Sequence, residues 1–218
     1  MKLDNKQNYN LQVALTKAKE EFKATNPAEV SAKSRCDFDA EKKIFYVPFL
    51  NNKIAVSYPT GSSFFINTEQ PIPLRWQILI LHYLIKASGT QLTENFISYK
   101  ELPGGYIYFD VFQRRVCLPL VKEFGEIPEA LMQISRHFSS FEKDMGDYSF
   151  TINALPQIPI TFILWCGDEE FSPNATILFN EKAEDYLATE DYAFLSGLIV
   201  YELIKLKQIY LSGGEQDS

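Results

Sequence analysis

The stretch Leu155–Leu187, LPQIPITFILWCGDEEFSPNATILFNEKAEDYL, constrains the fold of this chain more than any other. An apolar strand runs into a tight acidic turn, a second apolar strand returns beside it, and a helix begins. Tyr148 to Ala154 is also β-rich, so Tyr148–Ala154, Ile158–Trp165 and Thr176–Phe179 form a run of strands with short links. Asn180 is placed to cap a short helix to Leu187, and Thr189, followed by Glu190 and Asp191, to cap the last one.

The N-terminal half has the same clustered character. Residues 6 to 24 carry Leu11, Ala14, Leu15, Ala18 and Phe22 on one helical stripe. Asn26-Pro27 starts a second helix through Ser34, with Asn26 as cap and Pro27 at the first helical position. Lys43–Leu50 and Lys53–Tyr58 read as strands joined at Asn51-Asn52, and Ser63–Ile66 as a third. A long apolar helix follows Pro71 or Pro73 and stops near Ala87, with Gly89 past its end. Being apolar on most sides, it belongs at the centre of the fold. Beyond Leu102-Pro103-Gly104-Gly105, a helix carries Phe109, Phe112 and Val116 and is limited by Pro119. Another starts near Pro128 with Leu131, Ile134, Phe138 and Phe141 inward. Strands and helices in clusters predict an α+β fold, an antiparallel or mixed sheet with helices around a central apolar helix. One domain over residues 1–211 and a flexible polar tail over 212–218 account for the 218 residues, with Phe141–Asp147 the alternative lobe boundary.

Composition narrows the function. A net charge of −7 without a basic cluster argues against nucleic acid and against an anionic membrane surface. The most apolar run, Trp76–Ile85, is about half the length of a membrane span, and the first residues are too polar for a secretory signal, so a cytoplasmic location is expected. Cys36, Cys117 and Cys166 are far apart and read as buried small hydrophobes rather than metal ligands.

Three constellations can carry chemistry. Asp168, Glu169 and Glu170 supply oxygen ligands for magnesium, or paired carboxylates for acid–base work, unless they simply face water on a hairpin. Gly104 and Gly105 expose backbone N–H groups at a helix start, which favours an anionic group of a ligand; Tyr99, Lys100 and Tyr106 flank them. Arg75, His82 and Lys86 share one stripe of the apolar helix, either wet or lining a polar cleft, and a neutral imidazole at His82 can ligate a metal. No serine elbow or paired Cys/His arrangement supports nucleophilic catalysis, and no catalytic residue is assigned.

The segments ISYKELPGG and LPQIPITFILWCGDEEFSPNATILFN, with CDFDAEKKIFYVPFLNNKIAVSYP and the YLIKASG run, resemble an uncharacterised family of anaerobic prokaryotes, domain of unknown function 3786, over nearly the whole chain. Some relatives carry an added four-cysteine iron–sulfur module like that of corrinoid proteins of one-carbon metabolism. This chain lacks those cysteines, so no iron–sulfur cluster carries over. What the resemblance implies is a cytoplasmic cofactor-binding protein for a corrinoid (cobalamin), with proteins of one-carbon metabolism as partners. Its expected pocket lies between Leu102, Pro103, Gly104 and Gly105 and the central helix, walled by Trp76, Tyr99, Tyr106 and Trp165, with His82 as axial ligand to cobalt. A metal-dependent enzyme using Asp168–Glu170 and a ligand-free interaction module are the alternatives.

Overall fold

The apolar stripe of α1 (Asn5–Lys23) places Leu15, Ala18 and Phe22 in the core. Phe22 meets Phe45 and Tyr58 edge-on at 5.7 and 5.6 Å, a geometry that aligns ring edge with ring face. The computed structural model describes residues 5–68 and 70–213, which divide into two compact units. The first unit comprises residues up to Gln91 together with Leu155–Gln157 and Asp185–Leu187; the second comprises the rest. The main division therefore falls at Gln91–Leu92 and not near Phe141–Asp147.

In the first unit, α2 (Pro27–Ser34) is capped as expected: the Asn26 carboxamide oxygen accepts from the N–H of Ala28 and Glu29. A four-stranded antiparallel meander follows, β1 (Asp37–Asp39), β2 (Ile44–Phe49), β3 (Asn52–Ser57) and β4 (Ser62–Phe65). The β2–β3 register pairs Phe49 with Asn52, so the link is Leu50-Asn51 and not Asn51-Asn52. Leu50 itself takes the left-handed conformation (φ 51°) usually left to glycine or asparagine. Helix α3 (Leu74–Lys86) buries Ile78 through Leu81, Tyr83 and Leu84, and is the apolar element of this unit. Tyr83 ties its separate chain segments together. Its hydroxyl donates to the Ser34 carbonyl (2.7 Å) and accepts from the Gln157 N–H (3.1 Å), and its ring stacks on Tyr186.

The second unit holds a five-stranded sheet in the order β5 (Phe96–Ser98), β9 (Asn174–Asn180), β8 (Ile158–Trp165), β7 (Tyr148–Leu155) and β6 (Phe141–Glu142). Phe150 and Phe162 stack across β7 and β8, and Thr151 and Thr161 share a buried hydrogen bond of 2.7 Å. Helices α4 (Gly105–Phe112), α5 (Leu118–Phe124), α6 (Pro128–Ser135) and α7 (Thr189–Gly213) complete it. Pro119 does not end the helix before it. A π turn over Gln113–Cys117 widens the coil, and the Leu118 N–H reaches the Gln113 carbonyl, so the proline ring is accommodated at the start of α5. Helix α6 is shorter than expected, leaving Phe141 exposed on β6. Thr189 begins α7 without capping it: the Ala188 carbonyl accepts the first N–H groups, and the Thr189 hydroxyl donates to the Pro103 carbonyl at 2.7 Å. Because α7 runs to Gly213, the tail expected from residue 212 otherwise lies outside the described residues. No helix among the described residues is long and apolar enough to cross a membrane.

Candidate functional site

The second unit holds a groove of about 580 Å³ where the α5–α6 junction faces the loop from β8 to β9. Trp165 pairs with Asn174, so the acidic turn sits inside an eight-residue loop, Cys166–Pro173. Two glycines let this loop lie close. A β-carbon on Gly167 would fall 2.6 Å from the Pro173 ring, and one on Gly125 would fall 3.1 Å from the same ring and 2.7 Å from the Val121 carbonyl. Gly167 is thus required by contact rather than by a left-handed backbone.

Glu126, Glu129 and Asp168 line the groove with Tyr148, Cys166 and Phe171; no Lys, Arg or His does. The Tyr148 hydroxyl donates to Glu129 at 2.6 Å, which lowers the Glu129 carboxyl below its ordinary range and raises the phenol above its own. Asp168 is committed to the loop tip. One of its oxygens accepts from the N–H of Phe171 (2.7 Å) and of Glu170 (2.8 Å), bonds that favour the charged form and lower its pKa. The Asp147 carboxylate accepts the Cys166 N–H at 2.8 Å. Desolvation first, and then the charges of Asp147, Glu129 and Glu126, raise the Cys166 thiol above its ordinary pKa, so it stays protonated near neutrality. A second recess of about 400 Å³ adjoins across Glu129 and Tyr148 and brings Arg136 and Lys143 with it. Among the described residues no three His, Cys, Asp or Glu side chains gather as a metal site.

The residues expected around a cofactor are distributed as follows. Trp76 and His82 lie in the first unit and the others in the second. Trp76 is half-buried and packs edge-on against Phe49 at 5.0 Å and Phe65 at 6.1 Å. His82 is half-buried on α3 between the exposed Arg75 and Lys86, whose ammonium reaches the Leu187 carbonyl at 3.4 Å. Tyr99 is 2% exposed and stacks flat on Phe112 with centroids 4.1 Å apart. Leu102 is buried, Pro103 and Gly104 are exposed, and Gly105 is buried against the Tyr99 carbonyl. Tyr106, 78% exposed, stands outside that packing. The Trp165 indole, 36% exposed, lies against Gly146 at the end of β8.

The sequence did not flag Glu126, Glu129 or Tyr148, and it read Cys166 as buried. Cys36 and Cys117 are buried, but Cys166 is exposed. The one signal for it was its place between Trp165 and Gly167, where the apolar run of β8 stops. A family model, described as a domain of unknown function (DUF3786), matches residues 26–202. The chain belongs to the DUF3786 family. The match takes in the whole groove of this DUF3786 protein and leaves out all of α1. No curated protein and no solved structure is similar enough to this DUF3786 chain to count as a match.

Proposed function

We propose that this DUF3786 protein is a binding protein whose ligand seat is the groove between the α5–α6 junction and the Cys166–Pro173 loop. The ligand class is a cation-bearing macrocycle rich in hydrogen-bond donors, and a corrinoid is the specific candidate. The observation that supports this reading is the groove's lining: carboxylates, a phenol and a thiol, without a basic side chain, around about 580 Å³. That volume lies within the range of small-molecule sites. Phosphate-rich ligands such as nucleotides are repelled by Glu126, Glu129 and Asp168. A corrin ring offers the opposite pattern, with a cobalt cation at its centre and carboxamide N–H donors on its rim. Tyr148 and Phe171 add ring faces against which a flat ligand can lie. The groove lining holds no histidine, so a corrinoid seated there would keep a lower ligand of its own, and an axial role for His82 requires a different seat.

The test is to mix the purified chain with cobinamide or cobalamin and read visible absorbance after gel filtration. Co-elution is expected, and Glu126→Gln with Glu129→Gln should weaken binding about tenfold or more. His82→Ala should leave the bound spectrum unchanged; a shifted spectrum would move the seat to α3. Absence of both colour and thermal shift with every corrinoid would overturn the proposal.

A further inference from the structure

The second unit holds another, more enclosed cavity, of about 80 Å³, between the Ser98–Lys100 segment and the π turn. At roughly 10–15 Å³ for each water-sized group, the space suits a small ligand of about five to eight heavy atoms. Its floor is apolar: Phe112, held flat against Tyr99, with the buried Cys117 and Ile177 beside it. Burial pushes the Cys117 thiol up to about 12, so it remains a neutral, apolar wall.

Its mouth is polar. Lys100, Gln113 and Thr176 all line the cavity, and among the described residues none of their side chains makes a hydrogen bond or ion pair within the protein. The Lys100 ammonium sits 4.1 Å from the centroid of the Phe109 ring, which keeps it at the rim. The nearest acid in sequence, Glu101, is turned away from this role. Its carboxylate accepts the N–H and the hydroxyl of Ser98, at 2.7 and 2.8 Å. The π turn contributes independently. Wide turns of this kind recur at functional sites, and here Gln113 and Cys117, its first and last residues, line one wall.

One cation, two neutral hydrogen-bonding groups and an apolar floor complement a carboxylate with a short alkyl tail. We propose that this cavity binds a short-chain monocarboxylate, with its oxygens on Lys100, Gln113 and Thr176 and its tail on Phe112, Cys117 and Ile177. This site is separate from the acidic groove and does not depend on it. Calorimetric titration of the full chain with propionate and butyrate tests it, with propanamide and sulfate as controls. The two carboxylates should saturate with Kd on the order of 1 mM, the amide should bind about tenfold more weakly, and sulfate should not compete. Lys100→Gln should raise Kd about tenfold with the thermal midpoint unchanged, while Lys100→Arg keeps most of the affinity. Thr176→Val should have a smaller effect in the same direction. Absence of saturation would mean that the cavity holds water only and would overturn the proposal. Sulfate binding as well as propionate, or a Kd indifferent to Lys100→Gln, would do the same.

Discussion

A β-carbon on Gly105 would lie 1.8 Å from the Tyr99 carbonyl oxygen, and the obstacle is backbone that cannot swing aside. Its neighbour Gly104 has open space around it but takes a left-handed backbone, with φ 73°. Adjacent glycines are thus needed for different reasons, and alanine distinguishes them. Gly104→Ala should cost about 1–2 kcal/mol, the strain of placing an L side chain in that region. Gly105→Ala should cost more, about 3 kcal/mol or above, because Leu102–Gly105 must shift before α4 can start. Urea denaturation of the two variants gives the order, and equal losses would show that the contact at Gly105 is relieved cheaply. The notion that these glycines present bare N–H groups to a ligand is a separate matter from this packing. The Gly105 N–H already donates to the Leu102 carbonyl at 2.8 Å.

At the scale of elements, the loop Cys166–Pro173 is held by a charge. Asp168 has its carboxyl held below the ordinary 3.8 by the N–H groups of Phe171 and Glu170. A depressed folded pKa favours the ordered tip above the unfolded value, and the advantage is lost as pH falls through the lower folded one. The amide resonances of Glu170 and Phe171 should therefore titrate together below pH 3.8, and Asp168→Asn should abolish that transition. A midpoint at the ordinary carboxylate value would show that the tip does not hold the ionised form. Much of the surrounding fold was legible because its signals are local. Examples are the Asn26-Pro27 start, the heptad-like stripe of α1, and the apolar runs of β7 and β8. The strand β1 was not legible. Its turn to β2 ends on Lys43 in the left-handed conformation (φ 56°), where a glycine would have announced it. The π turn was hidden for a related reason: a proline normally ends a helix, and nothing local in QRRVCLP shows that the coil widens instead. Of the candidate groove only Asp168 was legible, because the other residues come from the α5–α6 junction, α6, β7 and the loop, brought together only by tertiary packing.

At the scale of the whole molecule, the division of the chain is not a division of the sequence. The first unit needs Leu155–Gln157 and Asp185–Leu187 as well as the first 91 residues. Tyr83 carries this requirement, with its hydroxyl shared between Ser34 and Gln157. Burial also pushes its phenol pKa well above the ordinary range, so it remains a neutral donor. Tyr83→Phe leaves a buried carbonyl and a buried N–H without their partner and should cost about 2–4 kcal/mol in urea denaturation. A loss below about 0.5 kcal/mol would show that water replaces the hydroxyl. The same discontinuity sets a clock on synthesis. A ribosome adding about 5–20 residues per second takes a further 5–20 s or so after Gln91 to reach Leu187. During that interval α3 exists without the two segments that cover Tyr83, so an apolar helix made early waits for partners, the last of them made about a hundred residues later.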